Sequence, residues 1–170
     1  TLVGHSMGTL IAQQVALMAS ERLERLVLVG ATACLRAEVD ELQQAVAALE
    51  DPVPPAFARE FQLSTTYRPL PGEFLDQVVA ESMKLPARVW QAVMAGMLAV
   101  DYSDQLSSIR VPTLIVWGDQ DTIFDRAHQD ALLAGLPDAS LKTYPATGHA
   151  LHWERPAQFA RDLAAFAKGA

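Results

Sequence analysis

The sequence is poor in cysteine and in positive charge, and it holds no long apolar run. One cysteine, Cys34, leaves no partner for an intrachain disulfide framework or a cysteine-based zinc cluster. It fits a reducing compartment, and a cytoplasmic location is the expectation. Thirteen Lys+Arg stand against 20 Asp+Glu, a formal charge of −7, with a sequence pI near 5.0. No basic stripe is present to neutralise phosphates or anionic headgroups, so neither nucleic acid nor membrane is expected as a partner. The longest apolar candidate, Val89 to Val100, falls short of the roughly 18 residues that span a bilayer and reads as a buried helix. The start lacks an initiator Met, a charged n-region and a small-residue cleavage site. Thr1 to Val3 reads as the last half of a strand, so the expectation is a fragment of a longer protein.

What the sequence does hold is apolar content: 51% of 170 residues, ample for a buried core. Met7 to Ala19 reads as a helix, with Leu10, Ile11, Val15, Ala16 and Met18 at roughly helical spacing. Leu26 to Val29, closed by Gly30, is a short apolar run suited to a strand buried on both faces. Strand, tight turn, helix and strand make a βαβ unit and predict an α/β fold with a mostly parallel sheet flanked by helices. Ala37 to Leu49 reads as an amphipathic helix, with Val39, Leu42, Val46 and Leu49 on one face. Six prolines, at 52, 54, 55, 69, 71 and 86, then break the chain into short pieces. Pro55 and Pro86 sit where prolines open helices. Phe74 to Leu85 and Ala87 to Val100 read as two helices, and no strand signal appears between 34 and 108. The βα rhythm returns with a strand from Pro112 to Trp117 ending at Gly118, a helix from Ala127 to Leu136, and an edge strand from Ser140 to Tyr144. Pro156 opens a last helix with Phe159, Leu163 and Phe166 as its apolar stripe. The expected division is therefore 1–33 and 109–170 as one core, with 34–108 as a helical insertion.

Gly4-His5-Ser6-Met7-Gly8 fits G-x-S-x-G between a strand and a helix. In such an elbow the serine takes a strained conformation, and large side chains two residues to either side are expected to collide, which calls for glycine at 4 and 8. The turn lifts the Ser6 hydroxyl clear of the sheet and sets the Met7 N–H at a helix start, where it can bind an oxyanion. A serine needs a base, and the base an orienting acid. Asp121, three residues past Gly118, is best placed for the acid. Asp119 lies beside the turn, where capping of backbone N–H groups is its expected role, and Asp125 reads as a helix N-cap. For the base, His149 follows the last strand beside Gly148. Its rival His152 reads as a packing histidine beside Trp153. His128 is expected on an exposed helix surface, and His5 is expected to pack under the site.

The order Ser6, Asp121, His149 and the segments GHSMG at 4–8, VPTLIVWGDQD at 111–121 and GHALHWERP at 148–156 resemble the α/β-hydrolase fold family, serine-nucleophile branch. The resemblance covers nearly the whole chain but only the C-terminal part of such an enzyme. It implies Ser6 as nucleophile, Asp121 as acid, His149 as base and 34–108 as a helical cap over the site. Ser at position 6 sets the chain apart from the dehalogenase and epoxide-hydrolase branches, which use a carboxylate nucleophile. The resemblance also implies a second oxyanion donor in a segment upstream of Thr1, and makes the first strand an exposed sheet edge here. That edge would pair with the upstream segment or with another copy. The isolated chain is accordingly expected to be weakly active or inactive.

The expected reaction is hydrolysis of an apolar carboxylic ester or lactone through an acyl-enzyme, with no metal and no organic cofactor. A C–C bond hydrolase or a perhydrolase would use the same triad. A ligand receptor on the same scaffold, or a non-catalytic fragment, is the expectation of another class. In the insertion, Phe57, Phe61, Tyr67, Phe74, Met83, Trp90, Met94 and Met97 are expected mainly as core, with one or two facing an apolar pocket. Arg68 and Arg88 are the candidates for a substrate carboxylate.

Overall fold

A computed structural model describes residues 1–35 and 40–169. Its frame is a four-stranded, wholly parallel sheet in the order β1-β2-β3-β4, formed by Leu2–His5, Leu26–Val29, Thr113–Gly118 and Ala139–Tyr144. Side chains alternate across a strand, and the sheet uses both faces for core. Leu26, Leu28 and Ile115 pack on one face with Ala12 and Ala16 of helix α1 (Met7–Met18) and Leu132 of helix α6 (Arg126–Gly135). Val27, Val29, Leu114 and Val116 point the other way. They meet Leu151 of the short helix α7 (Leu151–Glu154) and Phe159, Leu163 and Phe166 of helix α8 (Pro156–Lys168). The expected stripe of α8 is thus present, though its residues are only partly buried. Burying each large aliphatic side chain in these layers contributes about 1.5–3 kcal/mol.

The βα rhythm places the strands and helices close to their expected bounds. β1 forms one edge, with Val3 exposed, and β4 forms the other. Between β2 and β3, the described residues hold the α-helices α2 (Asp40–Ala47), α3 (Pro55–Ser64), α4 (Gly72–Ser82) and α5 (Ala87–Leu98), followed by a 3-10 helix at Ser103–Ser108. The start of the helix expected at Ala37 lies outside the described residues. Pro55 is the first residue of α3, as expected, whereas Pro86 stands one position earlier, as the N-cap of α5. The first free N–H of α5, at Ala87, donates to Asp51 Oδ1 at 2.7 Å, so a carboxylate from a distant loop does the capping. α4 starts at Gly72 and stops at Ser82, which leaves Met83 as an exposed C-cap rather than part of an apolar helix face.

The stretch 34–108 holds none of the named strands, yet it is pinned at its base by pairing that sequence reading missed. Cys34 and Asp101 form a single antiparallel bridge, and Tyr102 N–H donates to the Ala33 carbonyl at 3.0 Å. The two ends therefore leave and rejoin the sheet side by side. Inside the stretch, Val46, Leu49, Val53, Ala87 and Met94 form a separate core, against which Phe57 and Trp90 pack.

Candidate active site

Ser6 sits between β1 and α1 with φ 53° and ψ −123°, a left-handed conformation that a non-glycine residue adopts only under constraint. Three hydrogen bonds hold it there. Its N–H donates to the Val29 carbonyl at 3.0 Å, and its own carbonyl accepts from Thr9 N–H at 2.8 Å and Thr9 Oγ1 at 2.6 Å. Gly4 is needed for the elbow: a Cβ there would lie 2.3 Å from the Gly8 carbonyl oxygen. The expectation for Gly8 is corrected, since a Cβ there would meet nothing within 4 Å among the described residues. The close approach involves the backbone of Gly8, not its missing side chain. Met7 opens α1, so its N–H lies in the first turn, where a helix offers no internal acceptor.

Asp121 is buried in the loop after β3. Its Oδ1 accepts from Ile123 N–H at 2.9 Å and Phe124 N–H at 3.0 Å, and its Oδ2 lies 2.8 Å from His149 Nδ1. The expected capping by Asp119 is corrected: Asp119 is exposed and takes a bond from the Gln120 side chain, while Asp121 satisfies the loop N–H groups. Asp121 N–H closes a turn on the Gly118 carbonyl at 3.0 Å, and from there its side chain reaches forward to the N–H groups of 123 and 124. Trp117 Nε1 locks the same loop by donating to the Phe124 carbonyl at 2.9 Å. Asp125 caps α6, as expected, by accepting from Ala127 and His128 N–H groups. His128 is partly buried rather than exposed. Its Nδ1 lies 2.9 Å from Asp125 Oδ1 and its ring tilts against Phe124, and the bond to His128 holds the Asp125 carboxyl below its usual range.

His149 follows β4 and is 2% exposed, a burial that keeps water from competing for its bond to Asp121. A carboxylate only accepts, so Nδ1 carries the proton and Nε2 presents its lone pair. Nε2 is buried and has no hydrogen-bond partner among the described residues. Two glycines let the ring and its loop come this close. A Cβ on Gly30, which has φ +53°, would lie 2.8 Å from His149 Nδ1, and one on Gly118 would lie 2.2 Å from the Thr147 carbonyl oxygen. Sequence reading used Gly30 only as a strand terminator; its contact with a ring 119 positions away leaves no local signal.

Three imidazoles meet here. His5 lies 4.9 Å from His149 and 4.4 Å from His152, ring centre to ring centre. His5 Nε2 is 3.1 Å from the His149 carbonyl oxygen, which fixes the proton on that nitrogen. Burial, with the neighbouring rings adding to it, pulls His5 from 6.5 down to about 3 and His152 down to about 4. Both stay neutral at neutral pH. His152 packs against Trp153 and Phe159, in keeping with the packing role read from the sequence, and it is His149 that Asp121 Oδ2 meets.

Ser6, Met7, His5 and His149 line one cavity of about 360 Å³ beneath the helical stretch. Its walls are mostly apolar. α5 supplies Val89, Trp90, Val93, Met94 and Met97, a single helix face, and α3 supplies Phe61 and Gln62. Of the eight candidates, four line the cavity: Phe61, Trp90, Met94 and Met97. Phe57 packs behind, edge-on to Trp90; Phe74 packs on Trp153; Tyr67 and Met83 are exposed. Val89 and Val93, on the same helical spacing, line it as well, although the sequence reading singles out only the aromatic and Met positions of the insertion. Neither arginine candidate lines it. Arg68 donates through Nε to the Ala146 carbonyl at 2.8 Å, and Arg88 is exposed.

A parallel sheet with a serine elbow after one strand, a carboxylate after a later one and a histidine after the next defines the α/β-hydrolase class of proteins. The chain belongs to the alpha/beta hydrolase family, whose family model matches residues 1–162. It is 32% identical over 89 residues to a 2-hydroxy-6-oxo-6-phenylhexa-2,4-dienoate hydrolase from Burkholderia cepacia, a match covering 52% of this chain and 28% of that protein. Among solved structures it resembles an esterase from Exiguobacterium antarcticum (TM-score 0.88, 22% identity), covering 99% of this chain and 66% of that one. It also resembles a hydrolase from Pseudomonas aeruginosa PA01 (TM-score 0.81, 28% identity), covering 97% of this chain and 63% of that one. The chain thus spans less than two thirds of the length of these proteins.

Proposed function

We propose that the protein to which this chain belongs is a serine hydrolase that cleaves an apolar carboxylic ester or lactone. The observation that carries the reading is the buried Asp121–His149 bond, with an unpartnered Nε2 on a histidine that lines the same cavity as Ser6. Ser6 attacks the carbonyl carbon while His149 Nε2 takes the hydroxyl proton. Asp121 holds the ring as the Nδ1–H tautomer and stabilises the imidazolium that forms. The neutral His5 and His152 add no like charge against that cation. Met7 N–H faces the developing oxyanion as one donor. His149 then returns the proton to the leaving alcohol, and water, activated by the same ring, resolves the acyl-enzyme. In this reading residues 34–108 act as the cap that shapes the pocket, and its apolar walls favour an alkyl or aryl acyl group.

A second reading, hydrolysis of a C–C bond in a vinylogous diketone, is favoured by the activity after which the Burkholderia cepacia relative is named. Against it stands the lining, in which no arginine among the described residues reaches the cavity to hold a carboxylate. Turnover of p-nitrophenyl butyrate tested beside a 2-hydroxy-6-oxo-dienoate separates the two. Ester turnover lost in Ser6→Ala supports the first reading; dienoate turnover without ester turnover replaces it with the second. The unpaired edge of β1 is the part of the sheet we assign to pairing with a further segment or a second copy.

A further inference from the structure

We propose that Glu154 is a positioning residue for His149, and that its carboxylate couples the occupied cavity to the placement of the imidazole. This deepens the serine-hydrolase reading and rests on His149 being its base. The histidine loop lies between two walls. One wall is the sheet side, where Asp119 N–H donates to the Tyr144 carbonyl at 3.1 Å and Gln120 N–H to the Thr147 carbonyl at 3.0 Å. The other wall is the connection from α3 to α4, and Glu154 joins the loop to it.

Glu154 ends α7, five residues beyond His149. Its Oε1 accepts from Gly148 N–H at 2.8 Å and from Tyr67 N–H at 3.1 Å, and its Oε2 accepts from Arg68 N–H at 3.0 Å. A single carboxylate thus bridges the residue before His149 and two residues of the helical stretch. Two further bonds close the same seam. Ala150 N–H, directly after His149, donates to the Thr65 carbonyl at 2.8 Å, and Arg68 Nε donates to the Ala146 carbonyl at 2.8 Å. Gly148 makes the approach possible, since a Cβ there would lie 2.6 Å from Tyr67 N. His149 is therefore gripped on both flanks by residues 65–68.

The same segment touches the substrate space. Thr65, Gln62 and Phe61, at the end of α3, line the cavity with Ser6 and His149. Thr65 Oγ1 donates to the Gln62 carbonyl at 2.7 Å, which ties the end of α3 to the seam. An acyl chain lying against Phe61 and Thr65 steadies the seam, and the seam steadies the loop that carries the base. A carboxylate is suited to this because it accepts three N–H bonds at once, with charge to strengthen them. A glutamine at 154 offers one acceptor oxygen and sets an N–H₂ against backbone N–H groups.

The test reads coupling, with the Ser6→Ala protein and p-nitrophenyl octanoate as the ligand. Nuclear magnetic resonance follows the Phe61 and Thr65 side chains as cavity reporters and the His149 imidazole as the base reporter. The expected result is that both sets shift together on saturation. In Ser6→Ala/Glu154→Gln the cavity reporters still shift, while the His149 response falls at least threefold. Ser6→Ala/Arg68→Met, which breaks only one bond of the seam, keeps an intermediate response and serves as the second variant where Glu154→Gln disturbs the fold. In the protein with Ser6 intact, Glu154→Gln lowers kcat for the octanoate about tenfold with KM little changed, and lowers kcat for the acetate far less. An imidazole that ignores the ligand, or that responds equally without Glu154, overturns the proposal. Hydrolysis persisting in Ser6→Ala instead overturns the nucleophile assignment, and the shift comparison between Glu and Gln at 154 still decides the coupling.

Discussion

Gly30 offers the sharpest test of how the histidine is held, because it is distant in sequence from Ser6, Asp121 and His149 of the proposed triad. Gly30→Ala brings two penalties. Its φ of +53° is left-handed, which costs an alanine about 1–2 kcal/mol. Its new methyl would also lie 2.8 Å from His149 Nδ1 and 2.9 Å from Cε1. Ordinary carbon contacts sit at about 3.5–4.0 Å, so the ring must retreat by about 0.7 Å or more. That displacement is enough to open the 2.8 Å bond to Asp121, since the carboxylate is itself held by two loop N–H groups and cannot follow. A misplacement near 1 Å costs about 10²-fold in rate. The assay is the second-order rate of fluorophosphonate labelling at Ser6, read beside a thermal melt. The expected outcome is a loss of about 10²-fold with the fold retained. Labelling of Gly30→Ala at the parent rate would refute the argument that the ring has no room to yield.

Three other outcomes follow from the same geometry. Asp121→Asn keeps an oxygen for Ile123 and Phe124 N–H but turns an amide N–H₂ towards His149 Nδ1; the wrong tautomer should lower ester turnover about 10⁴-fold, measured as kcat. His5 and His152 have folded-state pKa values below the unfolded 6.5, so the unfolded state binds more protons. Stability is full above about pH 6.5 and falls as pH drops towards about 4 and then 3, by up to about 2 kcal/mol per ring at pH 5; urea titrations at pH 7.5 and 5 check this, and a midpoint that rises on acidification contradicts it. Val93→Trp fills the α5 wall of the 360 Å³ cavity and should lower kcat/KM for octanoate at least tenfold more than for acetate, read on a chain-length series of p-nitrophenyl esters.

The elements that were legible from sequence are those whose signal is local. The apolar runs at 26–29 and 113–118 sit in the sheet interior on both faces, so they read plainly. The elbow was legible because strand, G-x-S-x-G and helix are contiguous. The closeness of Asp121 and His149 was legible because each follows a strand in the expected order, and the two lie 2.8 Å apart. What sequence could not give is which side a residue turns. Gly8 fits the motif, yet only Gly4 needs the missing Cβ, because only Gly4 faces the neighbouring turn of backbone. The sequence favours Asp121 over Asp119 for the acid but assigns the loop capping to Asp119, whereas the buried Asp121 takes the loop N–H groups itself and Asp119 is exposed. Pro86 announces a helix but stands outside it, because its cap comes from Asp51, 36 residues away. The cavity wall was half legible: the α5 spacing is regular, but the facing residues from other loops, such as Leu35, Ile123 and Phe124, meet only in three dimensions. Glu154 carries no motif of its own, and of the three bonds it accepts two reach back to residues 67 and 68 and one comes from Gly148.

The central claim is that Ser6, His149 and Asp121 act as one nucleophilic unit. Its most direct test is exposure of the protein to a fluorophosphonate probe followed by intact mass measurement, with Ser6→Ala and His149→Ala alongside. The account predicts a single adduct, mapped to Ser6 and absent from both variants. An adduct on another residue, or one that persists without His149, would contradict it.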